Sequence, residues 1–227
     1  MKPLLLSACM LLVGLLAGCD GTDHSVSWEG DLLSLSAEAR DGRVYLLAPA
    51  TDAVVEIDPG ARDWTSISVG RGPTALSRPP TRDELFTLER QDSTLSRLNL
   101  DGDVDQWDLG APFTTLSWAP DGTRAIAWIE PALASSIEVE GSLNLNAYAV
   151  IREAEDGSLE ITPGSLTFQP QDVSYSADGR HALIASTARL HVFDLDADPV
   201  LEQAVPFSAD EAVHRTPNLV VPAPDSN

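Results

Sequence analysis

Cysteine and lysine are almost missing from this chain. Cys9 and Cys19 are its two cysteines, both within the first nineteen residues. The remainder therefore has no disulfide framework and no thiolate metal site, and must stand on packing. Lys2 is the one lysine; every other basic residue is arginine, and 14 basic against 35 acidic residues leave a formal net charge of −21. So acidic a surface repels phosphate backbones and anionic headgroups, which argues against nucleic acid as a partner. The plainer meaning of the charge is a solvated surface that resists aggregation. After residue 16 there is no long apolar run, and helical periodicity is sustained nowhere in the mature part, which excludes a helix bundle and leaves strands. A Gly-x-Ser-x-Gly elbow, a phosphate-binding glycine loop and a His-x-x-x-His pair are also missing, so hydrolase, nucleotide and zinc chemistry have no local signature.

Residues 1–18 read as an export signal. Lys2 supplies the positive start and residues 4–16 an apolar core too short to span a bilayer comfortably. Leu16-Ala17-Gly18-Cys19 follows and resembles the lipobox of bacterial lipoproteins. The resemblance implies that Cys19 is lipidated and becomes the mature N-terminus, anchoring the chain to a membrane of the cell envelope. Two or three acyl chains anchor durably where one does not. Asp20 next to the cysteine is similar to an inner-membrane retention signal, a rule that depends on the host. Residues 19–31 are polar and read as a tether.

From residue 32 to residue 210 one pattern recurs. Its clearest copy is LSWAPDGTRAIAWI at 116–129. Leu116 and Trp118 alternate with polar neighbours, Pro120-Asp121-Gly122 turns the chain, and 125–129 is a short apolar run suited to a strand buried on both faces. Four units open on an apolar residue and serine: Leu35-Ser36, Leu76-Ser77, Leu116-Ser117 and Val173-Ser174. A period near forty with several short strands per unit predicts propeller blades. Unit one is expected to hold strands near 33–36, 43–48, 53–58 and 65–69. In unit two they fall near 74–77, 85–88, 94–99 and 104–109. Unit three carries an insertion at 130–141, then an alternating strand with Leu145, Ala147, Ala149 and Ile151 on one face, and a last strand near 159–161. Unit four runs from Val173 through strands near 189–195 and 202–205. SWAPDGTRAIAW and SYSADGRHALIA resemble the Ser-x-Pro-Asp-Gly repeats of TolB-like and WD40-like propellers, with Ala177 in place of the usual proline. The expected fold is all-β and propeller-like, with about four four-stranded blades after a signal-peptide helix. Residues 211–227 form a tail or a fifth, incomplete blade. Three arrangements fit these units: a four- or five-bladed ring, a truncated propeller, or an open arc completed by another chain. Either Leu219, Val220 and Val221 or the stretch Val26 to Trp28 is expected to pair onto a terminal blade.

Candidate chemistry is sparse. Asp101, Asp103 and Asp105 alternate, as do Asp194, Asp196 and Asp198, which is how a calcium loop begins. Gln106 and Pro199 then stand where such a loop needs glycine, so acidic turns are the plainer reading. His181 and His191 fall on adjacent strands and are candidates for proximity, without a metal spacing. Trp118 and Trp128 are assigned to blade packing, Trp64 and Trp107 to outer strands with some exposure. The sequence assigns no catalytic, cofactor or metal residue, and only Cys19 as a lipid site. The expected function is a membrane-tethered extracytoplasmic binding or scaffold module with a protein partner. The alternative is a metal-dependent, lactonase-like hydrolase with its site in the propeller channel.

Overall fold

The computed structural model describes residues 36–99, 102–134, 143–197 and 200–210. The export signal, Cys19, the tether, the pairing expected of Val26 to Trp28 or of Leu219 to Val221, and the fifth fragment lie outside the described residues.

Sixteen strands among the described residues form four sheets, each a four-stranded antiparallel meander. Blade 1 comprises β1 (Ala37–Arg40), β2 (Arg43–Ala48), β3 (Ala53–Asp58) and β4 (Asp63–Ser68). Blade 2 comprises β5 (Pro73–Ser77), β6 (Leu85–Glu89), β7 (Thr94–Leu98) and β8 (Val104–Asp108). Blade 3 comprises β9 (Thr115–Trp118), β10 (Arg124–Trp128), β11 (Ala147–Glu153) and β12 (Leu159–Ser165). Blade 4 comprises β13 (Pro170–Tyr175), β14 (His181–Ser186), β15 (Arg189–Asp194) and β16 (Leu201–Pro206). The meander places the first and third turns of every blade at one end, and the second turn and the inter-blade connection at the other.

The first strand of unit one lies later than the serine pattern places it. β1 pairs Ala39 with Val44 and Arg40 with Arg43, so Ala37-Glu38 holds the place of Leu116-Ser117. The reason is the turn. Asp41 (φ 46°) and Gly42 (φ 79°) are both left-handed, which makes a two-residue hairpin of the kind strand twist favours. Blades 3 and 4 use the longer Pro120–Thr123 type of turn instead, where the Asp121 and Asp178 carboxylates each accept a backbone N–H two residues on, from Thr123 and Arg180, at 3.0 Å. Two further boundaries move. β6 runs on through Glu89, and β12 runs past 161 to Ser165, carrying Pro163 on an outer edge strand that needs no further donor. The connection between β10 and β11 is long, as expected of the 130–141 insertion.

Three core clusters fill three inter-blade spaces. Tyr45, Leu47 and Val54 of blade 1 meet Leu76, Leu85 and Leu98 of blade 2. Phe86, Leu88 and Leu95 of blade 2 meet Ala125, Ala127, Ala149 and Ile151 of blade 3, large side chains against small. Ile126, Trp128 and Val150 on the other face of blade 3 meet Ala182, Ile184, Phe193 and Leu195 of blade 4. This explains the unbroken apolar run at β10: its even and odd positions serve different neighbours, so neither face can be polar. A lone four-stranded sheet cannot hide two oily faces, and side-by-side stacking does so while leaving few edges. Aromatic pairs bind the stack. Phe86 lies 4.7 Å from Trp118, and Tyr148 meets Phe193 edge-on at 5.2 Å. The Tyr175 hydroxyl donates to the Ser117 carbonyl at 2.7 Å, joining the first strands of blades 3 and 4. Gly164 is what lets the Tyr148 ring lie flat on β12, since a Cβ there would enter the ring.

Candidate functional site

The chemistry-bearing side chains gather in three places, all between blades. The first is a rim of arginines at the end bearing the first and third turns. Arg40 reaches the Asp83 carbonyl and carboxylate in the next blade. Arg82 donates to the Gly122 carbonyl at 3.1 Å and pairs with Glu153 in blade 3. Arg124 bridges Asp121 and, in blade 4, Asp196. A parallel set rises from the third strands: Arg97 donates to the Gly157 carbonyl of blade 3 at 2.8 Å, and Arg152 to the Ala197 carbonyl of blade 4 at 3.1 Å. Arg97 also lies over the Trp107 ring at 5.1 Å and pairs with Asp105 at 2.8 Å, holding that carboxyl below the usual range. Between blades 3 and 4 this rim encloses a cleft of about 230 Å³ lined by Arg124, Arg152, Glu153, Glu160 and Asp196. Its charges are engaged with one another, so it ties blades together at modest energy per pair.

The second place is Glu89, a carboxyl 1% exposed between blades 1 and 2. The Thr87 hydroxyl donates to one of its oxygens, and the Thr94 hydroxyl to the other at 3.0 Å. Gly70 lies against its stem so closely that a Cβ would meet Glu89 Cγ. Burial pushes this carboxyl up to about 7, against the opposing pull of the threonine and serine hydroxyls. The third place is Ser186, His191 and Glu202 in blade 4. Ser186 Oγ lies 3.3 Å from His191 Nε2, and His191 Nδ1 lies 2.7 Å from Glu202 Oε1. The order and distances are those of a serine-histidine-acid relay. Ser186 and His191 are buried, however, and the Ser186 hydroxyl donates to the Arg189 carbonyl at 2.9 Å while accepting from the Arg189 N–H at 3.3 Å. A buried hydroxyl with its proton on a carbonyl fastens the β14–β15 turn. Above it the Tyr148 hydroxyl is pushed up to about 12 by burial and the nearby Glu202 charge.

The residues singled out in the sequence are distributed differently from these clusters. Trp118 and Trp128 pack between blades as expected, Trp107 is half-buried beneath Arg97, and Trp64 is 45% exposed on β4. His181 and His191 do not meet. His181 pairs with Asp194 and His191 with Ile184, which puts their side chains on opposite faces of blade 4. Asp105 is engaged by Arg97, Asp196 by Arg124 and Arg180, and Asp194 caps the Asp196 N–H at 3.0 Å. Asp101 and Asp198 lie outside the described residues. Among the described residues no group of three His, Cys, Asp or Glu is placed to share a metal ion. Glu89 and the Ser186 relay escape sequence reasoning. Glu89 leaves a faint mark, as the one charged residue closing the buried strand LFTLE.

No protein-family model and no curated protein matches the chain. Solved structures do match in fold. A protein of Bacteroides uniformis ATCC 8492, provisionally called a 6-phosphogluconolactonase, aligns at 14% identity with a TM-score of 0.54, over 75% of this chain and 52% of its own. The β-propeller domain of Myceliophteria thermophila Cps50 (Swd1) aligns at 10% identity with a TM-score of 0.51, over 76% of this chain and 59% of its own. A dihydro-heme d1 dehydrogenase, NirN, aligns at 14% identity with a TM-score of 0.53, over 76% and 37%. The chain thus spans about half the length, or less, of these neighbours. At such identities the likeness speaks for architecture alone: four radial four-stranded sheets, in the manner of β-propeller blades.

Proposed function

We propose that this chain is a lipid-tethered binding module of a bacterial envelope, a rigid propeller scaffold that presents loops and catalyses nothing. The observation that supports it most is the internal engagement of its reactive groups. The rim arginines, Glu89 and Ser186 are each committed to neighbouring blades or turns, whereas the long β10–β11 connection offers Leu133, 40% exposed, at the opposite end. Loops on rigid sheets are where recognition is usually carried. The lipobox-like Leu16 to Cys19 stretch supports the tether, and the acidic composition favours a protein partner over nucleic acid.

Two measurements test this reading. Metabolic labelling with a palmitate analogue should mark the wild type and fail on Cys19→Ala. Affinity capture from detergent-extracted envelopes should retain a partner that Leu133→Asp releases; identical captures with both proteins would count against the loop as the binding element. The second reading, a lactonase-like metal hydrolase, draws on the Bacteroides uniformis likeness. It requires a stoichiometric divalent ion in the purified protein, and an ion-free protein by elemental analysis removes it.

A further inference from the structure

We infer that β4, the outer edge of blade 1, is a docking edge for an extended, cation-bearing segment of a partner protein, which adds to the blade as one further strand. β4 is the last strand of its sheet, so one row of its backbone groups has no strand beside it among the described residues. The register says which groups these are. Val54 pairs with Ile67 and Glu56 with Thr65, and the Val69 N–H donates to the Asp52 carbonyl at 2.9 Å. In an antiparallel ladder the bonded side alternates, so Thr65, Ile67 and Val69 turn their N–H and C=O groups toward β3, and Ser66 and Ser68 turn theirs outward. A row of donors and acceptors at strand spacing is complemented by another strand, the mode of recognition by strand addition.

Sheet edges are ordinarily blunted by charge or proline. β8 carries Asp105 and Asp108, β12 carries Glu160 and Pro163, and β16 carries Glu202 and Pro206. β4 carries only Asp63, at its first position; residues 64–68 are uncharged, contain no proline and include Trp64, 45% exposed. The chemistry of the occupant follows from the Asp63 end. Asp58 and Asp63 stand directly opposite each other across β3 and β4. Asp58 Oδ1 accepts the N–H groups of Gly60 and Ala61 at 2.9 Å, and Asp63 Oδ1 accepts that of Trp64 at 2.8 Å. Like charges so placed repel, and a lysine or arginine on the incoming strand relieves them. Uncharged β-branched side chains suit the stretch along 64–68. The net charge of −21 favours a cationic segment and disfavours a second, equally acidic copy. This edge lies on blade 1, apart from the β10–β11 connection of blade 3, so it stands or falls separately from that loop.

Amide exchange of the full lipidated chain in detergent tests this, with a short capped peptide of alternating threonine and valine ending in arginine as the probe. Antiparallel addition brings that arginine to Asp63. The peptide should slow exchange at Ser66 and Ser68 about tenfold or more and leave Thr65 and Ile67, already bonded to β3, unchanged. The same peptide N-methylated on its edge-facing amides should give no protection. Ser66→Pro should abolish binding with an unchanged far-UV spectrum, because the N–H it removes makes no bond within the blade. Asp63→Asn should weaken binding severalfold at low salt and have little effect at high salt. Exchange unchanged by the peptide, or equal protection by the N-methylated form, overturns the proposal. So does protection of Ser66 and Ser68 before peptide is added: if independent of protein concentration it means that a terminal segment of the chain itself covers the edge, and if it grows with concentration it means that a second copy does.

Discussion

Replacing Glu89 with glutamine should change how stability depends on pH more than it changes the fold. In the native chain the carboxyl is buried between blades 1 and 2 and raised from 4.5 to about 7. The unfolded chain ionises near 4.5, so between that pH and 7 the folded state holds a proton that the unfolded state has lost. Stability from this group is therefore full below 4.5, falls as pH rises through 7, and is level above. At 1.36 kcal/mol per pH unit, the rise corresponds to a loss of about 3 kcal/mol between pH 4.5 and 8. Glutamine keeps the shape, accepts the Thr87 hydroxyl on its amide oxygen and donates its amide N–H to the Thr94 hydroxyl oxygen, and it has no proton to lose. Urea unfolding at pH 5, 6, 7 and 8 measures the difference directly. The wild type should lose stability across this series relative to Glu89→Gln, and at pH 8 the variant should be the more stable protein. Parallel curves for the two proteins would refute the reasoning, because they would mean that Glu89 ionises in the folded state as it does in water.

Other substitutions probe the inter-blade contacts. Phe193→Ala removes a fully buried ring from the space between blades 3 and 4 and should cost about 3–5 kcal/mol in chemical denaturation. Gly164→Ala forces a methyl group into the Tyr148 ring and should lower stability by about 1–3 kcal/mol, read as a lower melting temperature. Tyr175→Phe leaves the Ser117 carbonyl without its donor; a loss of about 1 kcal/mol is expected in denaturant titration. Ser186→Ala should cost a similar amount, about 1 kcal/mol, and speed amide exchange at the β14–β15 turn, as befits a hydroxyl that fastens Arg189.

Much of the architecture is readable where one residue type has one use. The Asp-Gly and Pro-Asp-Gly turns mark hairpins because few residues tolerate a left-handed backbone, and the run from Ala125 to Ile129 is apolar without a break because both faces of β10 are covered. Reading blade 1 from its Leu-Ser pair misplaces β1, because the hairpin at Asp41-Gly42 is two residues shorter than that at Pro120–Thr123 and serine alone does not set register. The clusters are less readable. Arg97 and Arg152 look like ordinary surface charges in sequence; their role depends on turns in the following blade, at Gly157 and Ala197. Ser186, His191 and Glu202 come together across two hairpin turns in a register that no local motif encodes. His181 and His191 show the converse: adjacent strands invite the idea of proximity, but strand alternation sends the two rings to opposite faces.

Nuclear Overhauser contacts between aromatic rings test the radial arrangement most directly. Cross-peaks are expected between Phe86 of blade 2 and Trp118 of blade 3, and between Tyr148 of blade 3 and Phe193 of blade 4, whose centroids lie 4.7 and 5.2 Å apart. A spectrum in which Phe193 touches only residues of β13 to β16, and Phe86 only residues of β5 to β8, would contradict the stacking of neighbouring blades on which everything else depends.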